Sequence, residues 1–459
     1  MAHGSEETAR ESSGILSGAR KILPLPPSAR GDAQAAFRAS PFTRLAITHA
    51  FSMAGDALIT MALAGSLFFD ISPKAARGRV ALSLLFTIAP FAVVAPLLGP
   101  IIDRTKGGRR LMVVVSLVGR AVCCLLIARE IHSLLLFPAA LATLILSKGY
   151  IVAKASLVPA AIDDPAHLVE ANSKLAVGGS LVGLLAGIPG VAILQLLGAR
   201  TLLRLDSLVL LAGAVTALRI VAAKRPTVAP EAGAGPTPEA PAEATERQAR
   251  LGTGILLAAG AMGSLRFTVG FMTFLVAFAF RRGHAAPWWY GLVLACSLGG
   301  NLLGSAIAPV LRGRFREQWI ITGNLGFVAV IALVAGTLRT LHHRPAAALL
   351  GLAVGLAAGA AKIAFDALVQ QDAPEAIQSR AFARFEAAFQ LVWVVGGLAP
   401  VAFIMSLTLG FTVITLIALG TLVSYGVLAY LADRGRLPGW FPRAWIEALS
   451  VATGPAEQA

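Results

Sequence analysis

His49, Ser52, Asp56 and Thr60 stand three or four residues apart in an otherwise apolar run, so on a helix they form one polar stripe. An ionised carboxylate in such a run costs at least ~2.5 kcal/mol at the centre of a bilayer, so Asp56 must find a cation, water or a proton. An acid so placed can couple movement to protons, because access from one side and then the other could change its protonation. The stripe is expected to face a central cavity. The cations available to balance Asp56, or to attract an anionic solute, are Arg120, Lys148 and Arg266, each near the middle of its own apolar run. Two further polar faces repeat at one-turn spacing: Ser297, Asn301 and Ser305, and Glu386, Gln390 and Trp393. Structural ion pairs and hydrogen bonds between helices are the competing roles for all of these.

The runs that carry these residues set the class. The chain has 459 residues, 56% hydrophobic and only 14% charged, with a mean hydropathy of +0.75, so its apolar mass needs lipid as a solvent. A helix crosses a ~30 Å hydrocarbon core in about 20 residues. Runs of that length fall near 43–69, 80–102, 110–128, 133–157, 175–197, 203–223, 255–280, 287–311, 318–338, 346–370, 385–407 and 409–432. None alternates as a membrane β-strand would, so each must satisfy its backbone internally. The expected fold is all-α, a twelve-transmembrane-helix protein. The three cysteines lie in apolar runs and the histidines are scattered, so neither a metal nor another cofactor is expected.

Between the sixth and seventh runs, residues 228–250 change to Pro, Ala, Glu and Gly and read as a linker too polar to fold. It divides the chain into an N-terminal tail (1–42), a six-helix bundle (43–223), a linker (224–250), a second six-helix bundle (251–432) and a C-terminal tail (433–459). Internal duplication predicts a pseudo-twofold relation between the bundles. Ala153-Lys154 and Asp164 recur 208 residues later as Ala361-Lys362 and Asp372. Glycines at every fourth position (179, 183, 187; 300, 304; 351, 355, 359) mark close helix approach. With a cytoplasmic amino end, more than twice as many Lys and Arg fall in cytoplasmic segments as in outer loops, although Lys74, Arg77 and Arg79 run against the bias. The +15 charge is thus accounted for by topology, and no nucleic-acid partner is expected. Both termini are expected to be cytoplasmic, in the cell (plasma or inner) membrane. Trp440, Phe441, Arg443 and Trp445 suit an interfacial anchor or a disordered tail.

The most specific motif is Gly99-Pro-Ile-Ile-Asp103-Arg104-Thr-Lys-Gly-Gly-Arg109-Arg110, in the loop between the second and third runs. It resembles the loop signature of the major facilitator superfamily: Gly, three residues, Asp, Arg, one residue, Gly, then two basic residues. Gly99, Asp103 and Arg104 match directly, and one extra residue shifts Arg109 and Arg110. The resemblance covers residues 43–432 and implies two helical bundles that carry a solute by alternating access. It also implies a cytoplasmic gate in which Gly99, Asp103, Arg104, Arg109 and Arg110 meet Lys154, Lys362, Asp366, Arg384 and Glu386. Lys362 and Asp366, one turn apart, can pair within their own helix. In this superfamily the first, fourth, seventh and tenth spans resemble cavity-lining helices, which favours Lys148 and Arg266 over Arg120 as cavity cations. The cavity is then expected to include His49, Ser52, Thr60, Lys148, Arg266, Asn301, Gln390 and Trp393, with Asp56 the proton site. Gly183-Leu-Leu-Ala-Gly187-Ile-Pro189-Gly190 is similar to the glycine-proline motif of the superfamily's antiporters and tilts the direction toward efflux.

No phosphate-cradling Gly-Lys-Ser or Gly-Lys-Thr loop, Asp-rich prenyl-diphosphate motif or Gly-x-Ser-x-Gly elbow occurs. The expectation is a non-enzymatic, proton-coupled secondary transporter of a small molecule, acting as a monomer in the lipid bilayer, with a proton or another ion as its coupling partner. A lysolipid or lipid flippase of the same fold is the alternative, and an intramembrane enzyme or a sensor is the alternative of another class.

Overall fold

In a computed structural model of the chain, the described residues are 40–67, 107–130, 133, 135–162, 164–220, 241–337, 343–374, 377–436 and 438. They form ten long helices and, among themselves, no strand. These are α1 (Pro41–Leu67), α2 (Gly108–Arg129), α3 (Leu136–Leu157), α4 (Leu168–Ala217), α5 (Pro241–Arg282), α6 (Pro287–Arg312), α7 (Glu317–Thr337), α8 (His343–Asp372), α9 (Gln378–Ala402) and α10 (Leu407–Asp433). All ten are long and apolar enough to cross a membrane.

Helix α4 is two passes joined. Its 50 residues would span about 75 Å if straight, more than twice the hydrocarbon thickness. At Gly198, φ 78° and ψ 169° break the helix, a conformation that glycine adopts without a Cβ penalty. Ten helices with one of them double make eleven passes among the described residues. The run expected at 80–102, residues 1–39 of the first tail, and 437 and 439–459 of the second with the Trp440–Trp445 cluster, lie outside the described residues.

The linker differs from expectation at its far end, because α5 reaches back to Pro241. Proline suits a first helical position, and the Glu, Ala, Gln and Arg that follow are strong helix formers even where nothing apolar can be buried.

In the first bundle α1 packs along α4, and α2 lies against both α3 and α4. In the second, α6 pairs with α8, α5 with α9, and α7 with α8 and α10. Large apolar side chains remain outside, Leu196 at 81% exposure among them, as a surface wetted by lipid requires. The bundles meet where α4 touches α6 and α8, and where α3 touches α9.

The glycine spacing is answered by contact. A Cβ on Gly355 would run into the Ser297 backbone carbonyl, and one on Gly300 into that of Leu352, so α6 and α8 approach backbone to backbone. Gly355→Val should therefore lower the thermal stability of the detergent-purified protein by about 1–3 kcal/mol, the usual cost of overpacking. Gly260→Ala, where a Cβ meets nothing within 4 Å, should leave it unchanged. Equal midpoints for the two variants in a thermal unfolding assay would contradict this packing.

Candidate functional site

Arg120, on α2, has no exposed side-chain surface, whereas Asp56, on α1, is 32% exposed; they form an ion pair at 2.6 Å. Arg120 also donates to Ser52 Oγ at 3.0 Å, and Ser147 donates to the same Asp56 oxygen at 3.3 Å. The direct partner of Asp56 is therefore Arg120, the cation that sequence reasoning favoured least. Lys148 is half-buried on α3, within electrostatic reach of Asp56 in its own bundle and of Glu386 and Arg266 in the other.

The stripe on α1 divides by depth. Ser52 is buried, and His49 is buried with Nδ1 3.2 Å from the Tyr150 hydroxyl and its ring stacked on Tyr150. Thr60 is exposed, its hydroxyl donating to the Asp56 carbonyl at 2.6 Å. All four residues share a helix face. His49 and Ser52 nevertheless lie inside the first bundle, because neighbouring helices cover that end of α1.

A second charge cluster spans α8 and α9. Lys362 bridges Asp366 and Glu386, each at 2.6 Å. Lys154, at the end of α3, lies within electrostatic reach of Asp366, Lys362 and Glu386. The repeat-related lysines Lys154 and Lys362 thus converge on one acidic pair. Arg384, expected beside Glu386, is exposed. Gly99, Asp103 and Arg104 lie outside the described residues. Arg109 reaches the Ser156 carbonyl at 3.4 Å and Arg110 the Leu218 carbonyl, so both tie down helix C-termini, where cations are favoured.

Around this cluster the bundles join. Gln370 on α8 donates to the Ala155 carbonyl at 2.7 Å and accepts from Asn172 at 2.6 Å, while Ser173 donates to the Ser305 carbonyl at 2.6 Å. Gln371 adds a bond to the Pro165 carbonyl at 3.4 Å. These bonds between the bundles all lie at the end where α4 finishes and α5 begins.

Arg266 and Asn301, together with Ser297, line a cavity of about 370 Å³ between α5 and α6 that Val354, Gly355 and Ala358 of α8 also wall. Gln390 and Trp393 do not line it. Trp393 packs edge-on against Phe274 at 6.1 Å, and Gln390 is half-buried.

Sequence reasoning missed Asp206. This acid on the second pass of α4 is fully buried, accepts a bond from Cys124 Sγ at 3.2 Å, and keeps Oδ1 without a partner. Arg120 Nε is likewise buried without a partner, and the two residues interact electrostatically. Asp206 looked like an edge residue because its apolar run was begun at 203, whereas the pass starts directly after Gly198. Asn172 and Gln370 were missed because neutral amides at the ends of apolar runs carry little signal.

Three comparisons place this arrangement. Over 407 residues the chain is 30% identical to an uncharacterized protein of Mycobacterium leprae, covering 82% of this chain and 69% of that one. A crystal structure of a bacterial homologue of the iron transporter ferroportin, in its outward-facing state, superposes with a TM-score of 0.61 at 17% identity, covering 84% of this chain and 98% of the other. The outward conformation of the Major Facilitator Superfamily transporter FucP superposes with a TM-score of 0.58 at 12% identity over 84% and 98% of the respective chains. Among the described residues no three His, Cys, Asp or Glu side chains converge to hold a metal ion. The family model of the Major Facilitator Superfamily matches residues 45–397, and with an all-helical membrane fold beneath that match the chain belongs to this superfamily of transporters.

Proposed function

We propose that the protein is a proton-coupled secondary carrier that exports a small solute across the cell membrane, with Asp56 as the proton site. The linker and both termini face the cytoplasm in this reading. The observation that carries it is the Asp56–Arg120 ion pair, in which a fully buried guanidinium depends on a carboxylate that is 32% exposed, in a bundle whose linker-side end is bonded to the other bundle. In this reading the side joined by Gln370, Asn172 and Ser173 is cytoplasmic, and the partly exposed Asp56 takes its proton from the opposite side.

The chemistry follows from the charges. When Asp56 takes a proton, Arg120 loses its counterion, and a buried guanidinium cannot stay unpaired without a cost of several kcal/mol. Asp206 Oδ1 is the waiting acceptor in the same bundle. Lys148 carries the change to the other bundle, because it feels both Asp56 and Glu386. Glu386 shares Lys362 with Asp366, so a change in the central charge loads the residues that adjoin the seam. The efflux direction rests on the similarity of Gly183–Gly190 to the antiporter motif, a segment that packs against Met61 and Leu58 of α1.

In proteoliposomes with an imposed pH gradient, Asp56→Asn is expected to abolish gradient-driven flux while leaving solute exchange without a gradient intact. Undiminished uphill flux in that variant would remove Asp56 from the coupling. A double-mutant cycle addresses the second acid. Asp56→Asn alone should cost little stability because Arg120 turns to Asp206, whereas adding Asp206→Asn should bring the loss to about 3–5 kcal/mol, the cost of a buried charge left alone. Additive thermal-stability changes would show that the two acids do not share the guanidinium.

A further inference from the structure

The cavity of about 370 Å³ is within the range of small-molecule sites, roughly 300–1,000 Å³, and its walls are unequal along its length. On α5 the lining recurs at helix spacing from Arg266 through Val269 and Val276 to Ala277; on α6 it runs from Tyr290 through Val293 to Asn301. Each stretch covers about 16 Å at the helix rise. The helices are antiparallel and joined by a short connection after Arg282, so Arg266 lies level with Asn301, and Ala277 with Tyr290. The end far from that connection is therefore polar and cationic, with Ser297 one turn from Asn301, while the rest is largely aliphatic. Tyr290, edge-on against Phe280 at 5.5 Å, stands at the apolar end.

Arg266 lacks what the other central cations have. Arg120 is paired with Asp56, and Lys362 with Asp366 and Glu386. Among the described residues no hydrogen bond or ion pair holds the Arg266 guanidinium, and its Nε is buried without a partner. Glu386 acts on it at longer range but is itself bound by Lys362. A guanidinium held at the wall of an apolar cavity calls for an anion that enters with its own apolar surface, since burial of that surface then offsets desolvation of the charges.

Resting on the transporter reading, and naming the substrate class of that carrier, we propose that the cavity between α5 and α6 binds an elongated amphipathic anion. Its carboxylate, sulfonate or phosphate head meets Arg266 with Asn301 and Ser297 beside it, and its aliphatic or aromatic body lies along Val269, Val293 and Val276 toward Tyr290. A planar guanidinium suits such a head because it donates two parallel hydrogen bonds. Leu294 and Leu298, exposed at 61% and 63% and also lining the cavity, give the body an apolar side entrance. The same head and body describe a soluble organic acid and a single-chain lipid acid.

Binding is measured on the full chain in nanodiscs by equilibrium dialysis, with empty nanodiscs subtracted and no gradient applied. The probes are 6-phenylhexanoate, its neutral amide 6-phenylhexanamide and the cation 6-phenylhexylammonium. The acid should bind at least tenfold more tightly than the amide, the minimum expected of a charge-assisted hydrogen-bonded pair, and the cation should bind more weakly still. Arg266→Gln should reduce the preference for acid over amide to less than twofold, Arg266→Lys should keep most of it, and Val293→Trp, which fills the cavity, should abolish binding of both. Equal binding of acid and amide by the native protein, an acid preference that survives Arg266→Gln, or unaltered binding in Val293→Trp would each overturn the proposal. Displacement of 6-phenylhexanoate by 1-oleoyl-lysophosphatidate at a tenfold lower concentration than by unlabelled acid would assign the lipid source, and the reverse order the soluble one. Because no gradient is used, the acid-over-amide preference reports this site alone, whereas proton coupling is read from gradient-driven flux in proteoliposomes, so the two failures are distinguished.

Discussion

A guanidinium with no exposed surface, as at Arg120, is tolerated in an apolar bundle only beside an opposing charge, and Asp56 supplies that charge at 2.6 Å. Much of the arrangement follows from this requirement. It fixes how α1 and α2 face one another, keeps Asp206 and Cys124 within the same pocket of the bundle, and makes the protonation state of one half-exposed carboxylate a property of the whole first half. Lys148 extends that dependence across the divide to Glu386. A chain of charges in which each needs its neighbour has few stable arrangements, and a carrier requires a small number of discrete states.

The seam between the bundles is built differently. It uses neutral amides, hydroxyls and backbone carbonyls, with Gln370 bonded to Ala155 and Asn172, and Ser173 to Ser305. Each such bond contributes about 0.5–1.5 kcal/mol net, so in the proposed cycle the set is weak enough to be opened by a change in the central charges. The α6–α8 contact is of the opposite kind, since backbone lies against backbone at Gly300 and Gly355 with no slack between them.

The helical class and the eleven passes among the described residues were legible in the sequence, because lipid allows a backbone so few solutions that apolar length almost determines structure. The intramembrane charges were legible as a set for the same energetic reason. Their pairing was not. Arg120 and Lys148 sit at similar depths, and only the rotation of α2 against α1 decides which meets Asp56. Burial along α1 was hidden as well, since His49, Ser52, Asp56 and Thr60 share a face but differ in how far neighbouring helices cover them. Asp206 escaped because a kink at Gly198, rather than hydropathy, marks where its helix begins.

The central claim is that neutralising Asp56 changes the balance between two states of the seam. Pulsed electron paramagnetic resonance between spin labels at His167→Cys and Arg314→Cys tests it directly, since both positions are exposed and belong to opposite bundles at the seam end. With Cys296 replaced by Ser, the account predicts a short distance in the native protein and a second, longer population that grows on Asp56→Asn substitution or on acidification. A single distance, the same at every pH and in the variant, would contradict it.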